Sequence, residues 1–71
     1  RLRQLIISGS SEFLGKSLID SGIRSKYGCM VVGLEEGHEN LTHVSPNYVF
    51  QKGDIIWLVG EEENLDLVNS L

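Results

Sequence analysis

The strongest hydrophobic pattern in the chain is a run of five apolar residues between two glycines, Gly53-Asp54-Ile55-Ile56-Trp57-Leu58-Val59-Gly60. The run is too short for a stable helix, and its β-branched and aromatic residues favour a strand. Because side chains alternate along a strand, both faces of this one are apolar. We therefore predict a central strand that is covered on both sides, with Gly53 and Asp54 forming the turn before it.

The rest of the pattern predicts shorter elements around this strand. Cys29–Leu34 is again apolar on both faces and predicts a second strong strand. Shorter strands are predicted at Gln4–Ser8 and Leu41–Val44, and an extended piece at Tyr48–Phe50. Turns are predicted where Gly or Pro interrupts polar residues, at Glu35–Asn40 and Ser45–Asn47.

Two segments predict helices. The first is Phe13–Ser21, with Ser10 or Ser11 as its N-cap and Gly22 as the glycine that ends it. The second opens at Glu61–Glu63, where acidic residues suit the positive end of the helix dipole. Its apolar residues for packing on the sheet are Leu65, Leu67, Val68 and Leu71. The order β-α-β-β-(β)-β-α predicts a small α+β fold, with an antiparallel or mixed sheet of four to five short strands.

Size and charge narrow the functional classes. A chain of 71 residues forms one domain, 1–71, which is only marginally stable alone, so dimerisation is a natural remedy. A net charge of −4 without a basic cluster argues against a nucleic-acid partner. No apolar run approaches the ~20 residues that span a bilayer, and no signal peptide is visible. Since the chain opens on Arg1, we expect it to be a fragment of a longer protein.

The residues that carry chemistry are few and scattered. Catalysis needs a nucleophile beside a base or a pair of carboxylates in different environments, and neither is evident. The single cysteine, Cys29, is expected in the core, and His38 and His43 lack a third metal ligand. We therefore predict no catalytic residue, no metal and no cofactor. Trp57 is expected in the core, while Gly33 within its strand indicates a bulge, a close backbone approach or room for another chain.

Several segments together resemble one known family. They are Phe13-Leu14-Gly15-Lys16-Ser17-Leu18, Gly22-Ile23-Arg24, Tyr27-Gly28-Cys29-Met30-Val31-Val32-Gly33, the turn at Pro46, and the run Gly53–Gly60. This combination resembles the TrkA-C domain, also called RCK-C. That domain is the C-terminal regulatory domain of potassium channels, of Trk/Ktr-type uptake systems and of several cation–proton antiporters. The resemblance marks a fold signature consisting of Gly15, Gly53, Asp54, Trp57 and Gly60.

The resemblance implies a non-catalytic homodimer that gates an attached transport module at the cytoplasmic face of the cell membrane. In some members the dimer cleft binds a ligand, cyclic di-AMP among them. The matching region predicts a ligand or dimer interface consisting of Met30, Val31, Val32, Leu34, Glu35, Asn40 and Pro46. Met30, Val32 and Leu34 are the apolar candidates for the dimer contact. Glu35 and Glu36 would repel a dianionic nucleotide, which argues against cyclic di-AMP.

Alternatives stay open at this point. The ligand can be a cation or another small molecule, or there can be none, in which case the domain is a structural assembly module. An enzyme fragment that uses Cys29 or the histidines is a third hypothesis, which ordinary or absent thiol reactivity at Cys29 would oppose. The sequence does not specify the transported ion or the direction of regulation.

Overall fold

The computed structural model describes residues 1–37 and 39–71. In chain order they form β1 (Leu2–Ile6), α1 (Leu18–Ser21), β2 (Met30–Glu36), β3 (Glu39–Leu41), β4 (Ile55–Val59) and α2 (Glu62–Asn69). The four strands make an antiparallel sheet in the order β1-β4-β2-β3. The predicted small α+β fold with two helices is confirmed. The extended piece at Tyr48–Phe50 contributes only an isolated bridge between Val49 and Ser17.

The strand β4 lies in the middle of the sheet, as its apolar pattern predicts. On one face of the sheet, which we call the inner face, Ile56 sits in register between Leu5 and Leu34, and all three side chains are buried. The core cluster there also includes Leu65 and Val68 of α2, and the loop residues Phe13, Ile23 and Phe50. Leu67, which was expected to pack with them, is largely exposed on α2.

Within this single chain only one face of β4 is covered, so the chain alone does not meet the prediction that both faces are covered. Val59 lies in register between Leu2 and Met30, and all three side chains are exposed. Trp57 is only partly buried on the same face. The buried loop residues and α2 belong to the core cluster of the inner face, so within this chain the opposite face of β4 meets solvent.

The first helix begins later than its periodicity predicts. It starts at Leu18 rather than at Phe13, and Ser17 is its N-cap, with the hydroxyl accepting the Asp20 N–H at 3.1 Å. Just before it, the Gly15 N–H donates to the Phe50 carbonyl at 3.0 Å, and the Phe50 N–H donates to the Lys16 carbonyl at 2.9 Å. These long-range hydrogen bonds commit the backbone to a distant segment, so a helix cannot form there. The predicted end at Gly22 is confirmed by its left-handed φ of 75°.

The strands around the sheet edge differ from their predicted bounds. β2 continues through Glu35 and Glu36, which were expected in a turn, because both residues pair with β3. β3 is Glu39–Leu41 rather than Leu41–Val44, and β1 is Leu2–Ile6 rather than Gln4–Ser8. In each case the hydrogen-bonded partner, rather than the local apolar pattern, decides where the strand begins and ends.

A bulge interrupts β2 at Gly33, which confirms one of the three explanations for a glycine there. The register with β4 shifts between Val31, which pairs with Leu58, and Gly33, which pairs with Trp57. Val32 is therefore the additional residue. As a result, no side chain stands opposite Trp57 on this strand, and the surface beside the indole is hollow.

The turn before β4 is organised by a buried carboxylate. Asp54 is 3% exposed, and its Oδ2 accepts the Tyr48 hydroxyl at 2.7 Å and the Gln51 N–H at 2.9 Å. Gly53 has a φ of 94°, which favours glycine, so the predicted Gly-Asp turn is confirmed. After β4, a Cβ added at Gly60 would lie 3.1 Å from the Cys29 Sγ, so this glycine allows the chain to pass close to Cys29.

Candidate functional site

The exposed surface of the sheet, which we call the outer face, is mainly apolar. Its exposed side chains include Leu2 (61%), Ile6 (60%), Met30 (51%), Val59 (39%) and Val32 (37%). Ile55 and Trp57 of β4 lie half-buried among them. An apolar surface that spans three strands is typical of a site where another molecule binds.

A concavity of about 380 Å³ opens on this face at the bulge, and we call it the outer hollow. It is lined by Leu2, Val32, Gly33, Leu34, Glu35, Asn40, Thr42 and Trp57. The Trp57 Nε1–H donates a hydrogen bond of 2.7 Å to the Glu35 Oε2. Trp57 was expected in the core. The structure instead places it half-buried at the surface, because the odd residues of β4 point to the outer face.

A larger concavity of about 730 Å³ lies beside the first helix, and we call it the α1 cleft. It is lined by Leu18, Ile19, Arg24, Ser25, Met30, Val31, Thr42, His43, Val44 and Pro46. Apolar side chains form most of the wall. Arg24 supplies a permanent positive charge, and no carboxylate is found among the lining residues that the structure describes. Such a lining favours an anionic ligand that also has apolar or planar parts.

The structure divides the predicted interface between these two concavities. Met30, Val31 and Pro46 line the α1 cleft, whereas Val32, Glu35 and Asn40 line the outer hollow. Both concavities share Thr42. The predicted residues therefore line two different concavities rather than one.

Leu34 was predicted in the dimer contact, but the structure buries it. Its side chain is 1% exposed and belongs to the core cluster on the inner face. The bulge explains this change: with Val32 as the additional residue, Gly33 faces outward opposite Trp57 and Leu34 faces inward opposite Ile56.

The predicted site left out most residues of the α1 cleft, namely Leu18, Ile19, Arg24, Ser25, Thr42, His43 and Val44. Local periodicity assigns Leu18 and Ile19 to a helix face, and Arg24 to a connector. A usable signal was present in the segment Gly22-Ile23-Arg24, which forms part of the family resemblance. Its arginine is the one residue of that segment able to hold a charged ligand.

The remaining reactive groups fit a structural role. Cys29 is buried, burial raises the pKa of its thiol, and its Sγ lies 3.6 Å from the Tyr27 carbonyl. Among the side chains that the structure describes, no three His, Cys, Asp or Glu are placed to hold a metal ion together. His43 lies at the α1 cleft, while the prediction for His38 falls outside the described residues. None of the described helices is long and apolar enough to cross a membrane.

Comparison with known proteins gives a consistent match. The model of the TrkA-C domain family matches residues 2–71. The chain is 36% identical over 70 residues to probable potassium channel protein 2 of Methanocaldococcus jannaschii. That alignment covers 99% of this chain but 20% of the relative, so the chain spans about a fifth of the channel protein's length.

Two solved structures have the same fold. The RCK_C domain dimer of S. agalactiae BusR in complex with c-di-AMP has a TM-score of 0.85 and 28% identity, covering 97% of this chain and 91% of that one. The RCK C domain of the potassium transport protein KtrA, also in complex with c-di-AMP, has a TM-score of 0.88 and 26% identity. The alignment with KtrA covers 97% of this chain and 79% of that one.

Proposed function

The chain belongs to the TrkA-C domain family, and on that premise we propose that it is the regulatory and dimerisation domain of a monovalent cation transporter. In this proposal residues 1–71 are one domain of a longer protein that works at the cytoplasmic face of the cell membrane. The potassium channel relative supports potassium as the transported ion. The family consists of regulatory domains, which agrees with the predicted absence of catalysis.

The observation that carries the proposal is the apolar outer face. A 71-residue domain with one face of its central strand exposed gains stability if a second copy covers that face. A similar RCK_C domain, that of BusR, is a dimer. We assign the contact to Leu2, Ile6, Met30, Val32, Trp57 and Val59, so that a homodimer is the working form. The net charge of −4 gives no reason to add a nucleic-acid partner.

The α1 cleft is the regulatory site in this proposal. Met30 belongs both to the cleft and to the outer face, so a ligand in the cleft contacts a residue of the dimer interface. A ligand that binds one dimer geometry more tightly than another shifts the population toward it. The attached transport module then changes its conformation with the dimer, so ligand binding is coupled to transport.

The cleft favours an anionic ligand, and cyclic di-AMP is the first candidate to test. The earlier argument against this nucleotide depended on Glu35 and Glu36. Glu35 lines the outer hollow instead and is hydrogen-bonded to Trp57, and neither carboxylate lines the α1 cleft. Neither carboxylate therefore lies in the wall that a ligand of this cleft contacts, while Arg24 offers a charge-assisted contact to phosphate. Two structural neighbours at 28% and 26% identity hold c-di-AMP.

The dimer is tested by sedimentation of the chain and of two variants. Ile6→Glu places a charge on the outer face, and Leu67→Glu places the same charge on α2 at a position of similar exposure (60% against 48%). We expect a dimer for the wild type and for Leu67→Glu, and a monomer for Ile6→Glu. A wild-type chain that stays monomeric at high micromolar concentration would overturn this part of the proposal.

The ligand site is tested by calorimetry and thermal shift with cyclic di-AMP at constant ionic strength. A ligand that binds only the folded chain must raise its apparent stability. We expect Arg24→Gln to weaken binding at least about tenfold, because it removes a charge-assisted hydrogen bond. Lys16→Gln, which removes an exposed charge outside the cleft, should leave binding unchanged. If cyclic di-AMP, other nucleotides and cations all fail to stabilise the chain, the structural assembly hypothesis is favoured.

A further inference from the structure

The outer hollow is a second concave site, and the proposed function assigns no ligand to it. It exists because the bulge in β2 places Gly33 opposite Trp57, where any other residue would project a side chain. Its volume of about 380 Å³ lies at the small end of the range for small-molecule pockets. All of its lining residues except Thr42 belong to strands of the sheet, so the sheet holds most of its shape.

The hollow contains one ionisable group among the lining residues that the structure describes, the carboxylate of Glu35. The Trp57 Nε1–H is its hydrogen-bond donor, which orients the carboxylate but adds no positive charge. The two arginines nearest in sequence to Leu2 form ion pairs elsewhere, Arg1 with Glu62 and Arg3 with Asp66. The site therefore presents a negative charge to a ligand.

The remaining wall selects the kind of cation. Leu2 and Val32 are apolar, and the indole of Trp57 adds an aromatic surface. The N–H bond to Glu35 lies in the ring plane, so it does not occupy the π faces of the indole, which attract cations. A hard metal ion such as Ca²⁺ requires six to eight oxygen ligands, which this mainly apolar wall does not provide.

From this combination we propose that the outer hollow binds a small organic cation, an alkyl-substituted ammonium. Its charge pairs with Glu35, its alkyl groups pack on Trp57 and Val32, and Asn40 and Thr42 supply polar contacts at the rim. The inference is argued from the geometry of a single chain and does not depend on the α1 cleft, but the hollow shares Leu2, Val32 and Trp57 with the proposed dimer contact. The hollow opens on the outer face, so the oligomeric state is measured alongside binding.

The test uses Trp57, which is the only tryptophan in the chain, as a fluorescent probe at the site itself. Tetramethylammonium chloride is titrated into the full 71-residue chain, with sodium chloride exchanged so that ionic strength is constant. We expect a saturable change in emission in roughly the millimolar range, the scale for a ligand of few atoms. Neutral tert-butanol, which is similar in size, should produce no saturable change.

Two variants make the result specific. Glu35→Gln keeps the side-chain shape and an acceptor for Trp57, and it should weaken binding at least about tenfold, since it removes the pairing charge. Glu36→Gln, which changes the adjacent carboxylate outside the hollow, should bind within about twofold of the wild type. Equal binding by Glu35→Gln, or the absence of saturation in the wild type, would overturn the proposal. Sedimentation at the same concentrations shows whether the chain is a dimer, so a failure of the proposed dimer is distinguished from a failure of cation binding.

Discussion

Replacement of Asp54 tests whether a buried hydrogen-bonded carboxylate holds the entrance to the central strand. Its Oδ2 accepts the Tyr48 hydroxyl at 2.7 Å and the Gln51 N–H at 2.9 Å, and the residue is 3% exposed. Asp54→Ala removes the acceptor of both donors. Asp54→Asn retains a carbonyl oxygen that can accept both bonds but removes the charge.

The expected magnitudes follow from these contacts. A hydrogen bond to a charged group contributes about 1.5–3 kcal/mol. Because Gln51 is exposed and Tyr48 is only half-buried, water can partly satisfy the two donors after the change, so we take the lower end for each. Asp54→Ala should then cost about 3 kcal/mol, and Asp54→Asn about 1 kcal/mol. In a domain of this size 3 kcal/mol corresponds to a fall in Tm of about 12–24 °C.

The assay is urea unfolding followed by circular dichroism, at one protein concentration because dimerisation would add to the apparent stability. Tyr48→Phe removes one of the two donors and should cost about 1.5 kcal/mol. Combined with Asp54→Ala, it should add little, because the bond is already lost. An Asp54→Ala variant within about 0.5 kcal/mol of the wild type would refute the role of the carboxylate. Equal costs for Ala and Asn would show that charge, rather than the acceptor itself, matters.

Three further predictions concern Gly60, Tyr48 and Cys29. Gly60→Ala should cost roughly 1 kcal/mol in the wild type and little in a Cys29→Ala background, because the new Cβ would lie 3.1 Å from the Cys29 Sγ; equal costs in both would contradict this. Burial, and then the Asp54 hydrogen bond, raise the pKa of Tyr48 above its value in the unfolded chain. The neutral phenol therefore contributes to the free energy of unfolding below pH ~10, and this contribution is lost as the pH rises further. Urea unfolding should therefore show a steeper alkaline loss in the wild type than in Tyr48→Phe. The buried Cys29 thiol should react with a disulfide reagent at least about a hundredfold more slowly in the folded chain than in urea.

Local patterns were sufficient where burial alone decides the structure. The run Ile55–Val59 and the acidic start of the last helix both form as predicted, because an apolar strand or an amphipathic helix has one obvious way to bury its side chains. Periodicity failed at Phe13–Ser21. There Gly15 and Lys16 exchange hydrogen bonds with Phe50, more than thirty residues away, and no local pattern contains that partner.

The candidate site shows the same division. The residues around β2 were expected to form one interface, and the sequence places them next to one another. A single additional residue at the bulge reverses the faces after Val31, which buries Leu34 and turns Glu35 toward Trp57. Arg24 joins Met30 and Pro46 only through the folded loops. Neither result can be read from the order of residues, because the first depends on strand register and the second on the packing of loops that are distant in the chain.

The sequence by itself determined the class of this protein: a small α+β domain of the TrkA-C family, with Gly53–Gly60 as its central strand. Strand type, turn chemistry and family motif are local properties, so they are visible in the linear chain. Only the tertiary structure decided which face of that strand is exposed, and that the residues of the predicted interface line two concavities, the α1 cleft and the outer hollow. The physical reason is that exposure depends on what packs against a face, and that packing is set by pairing between residues far apart in the chain.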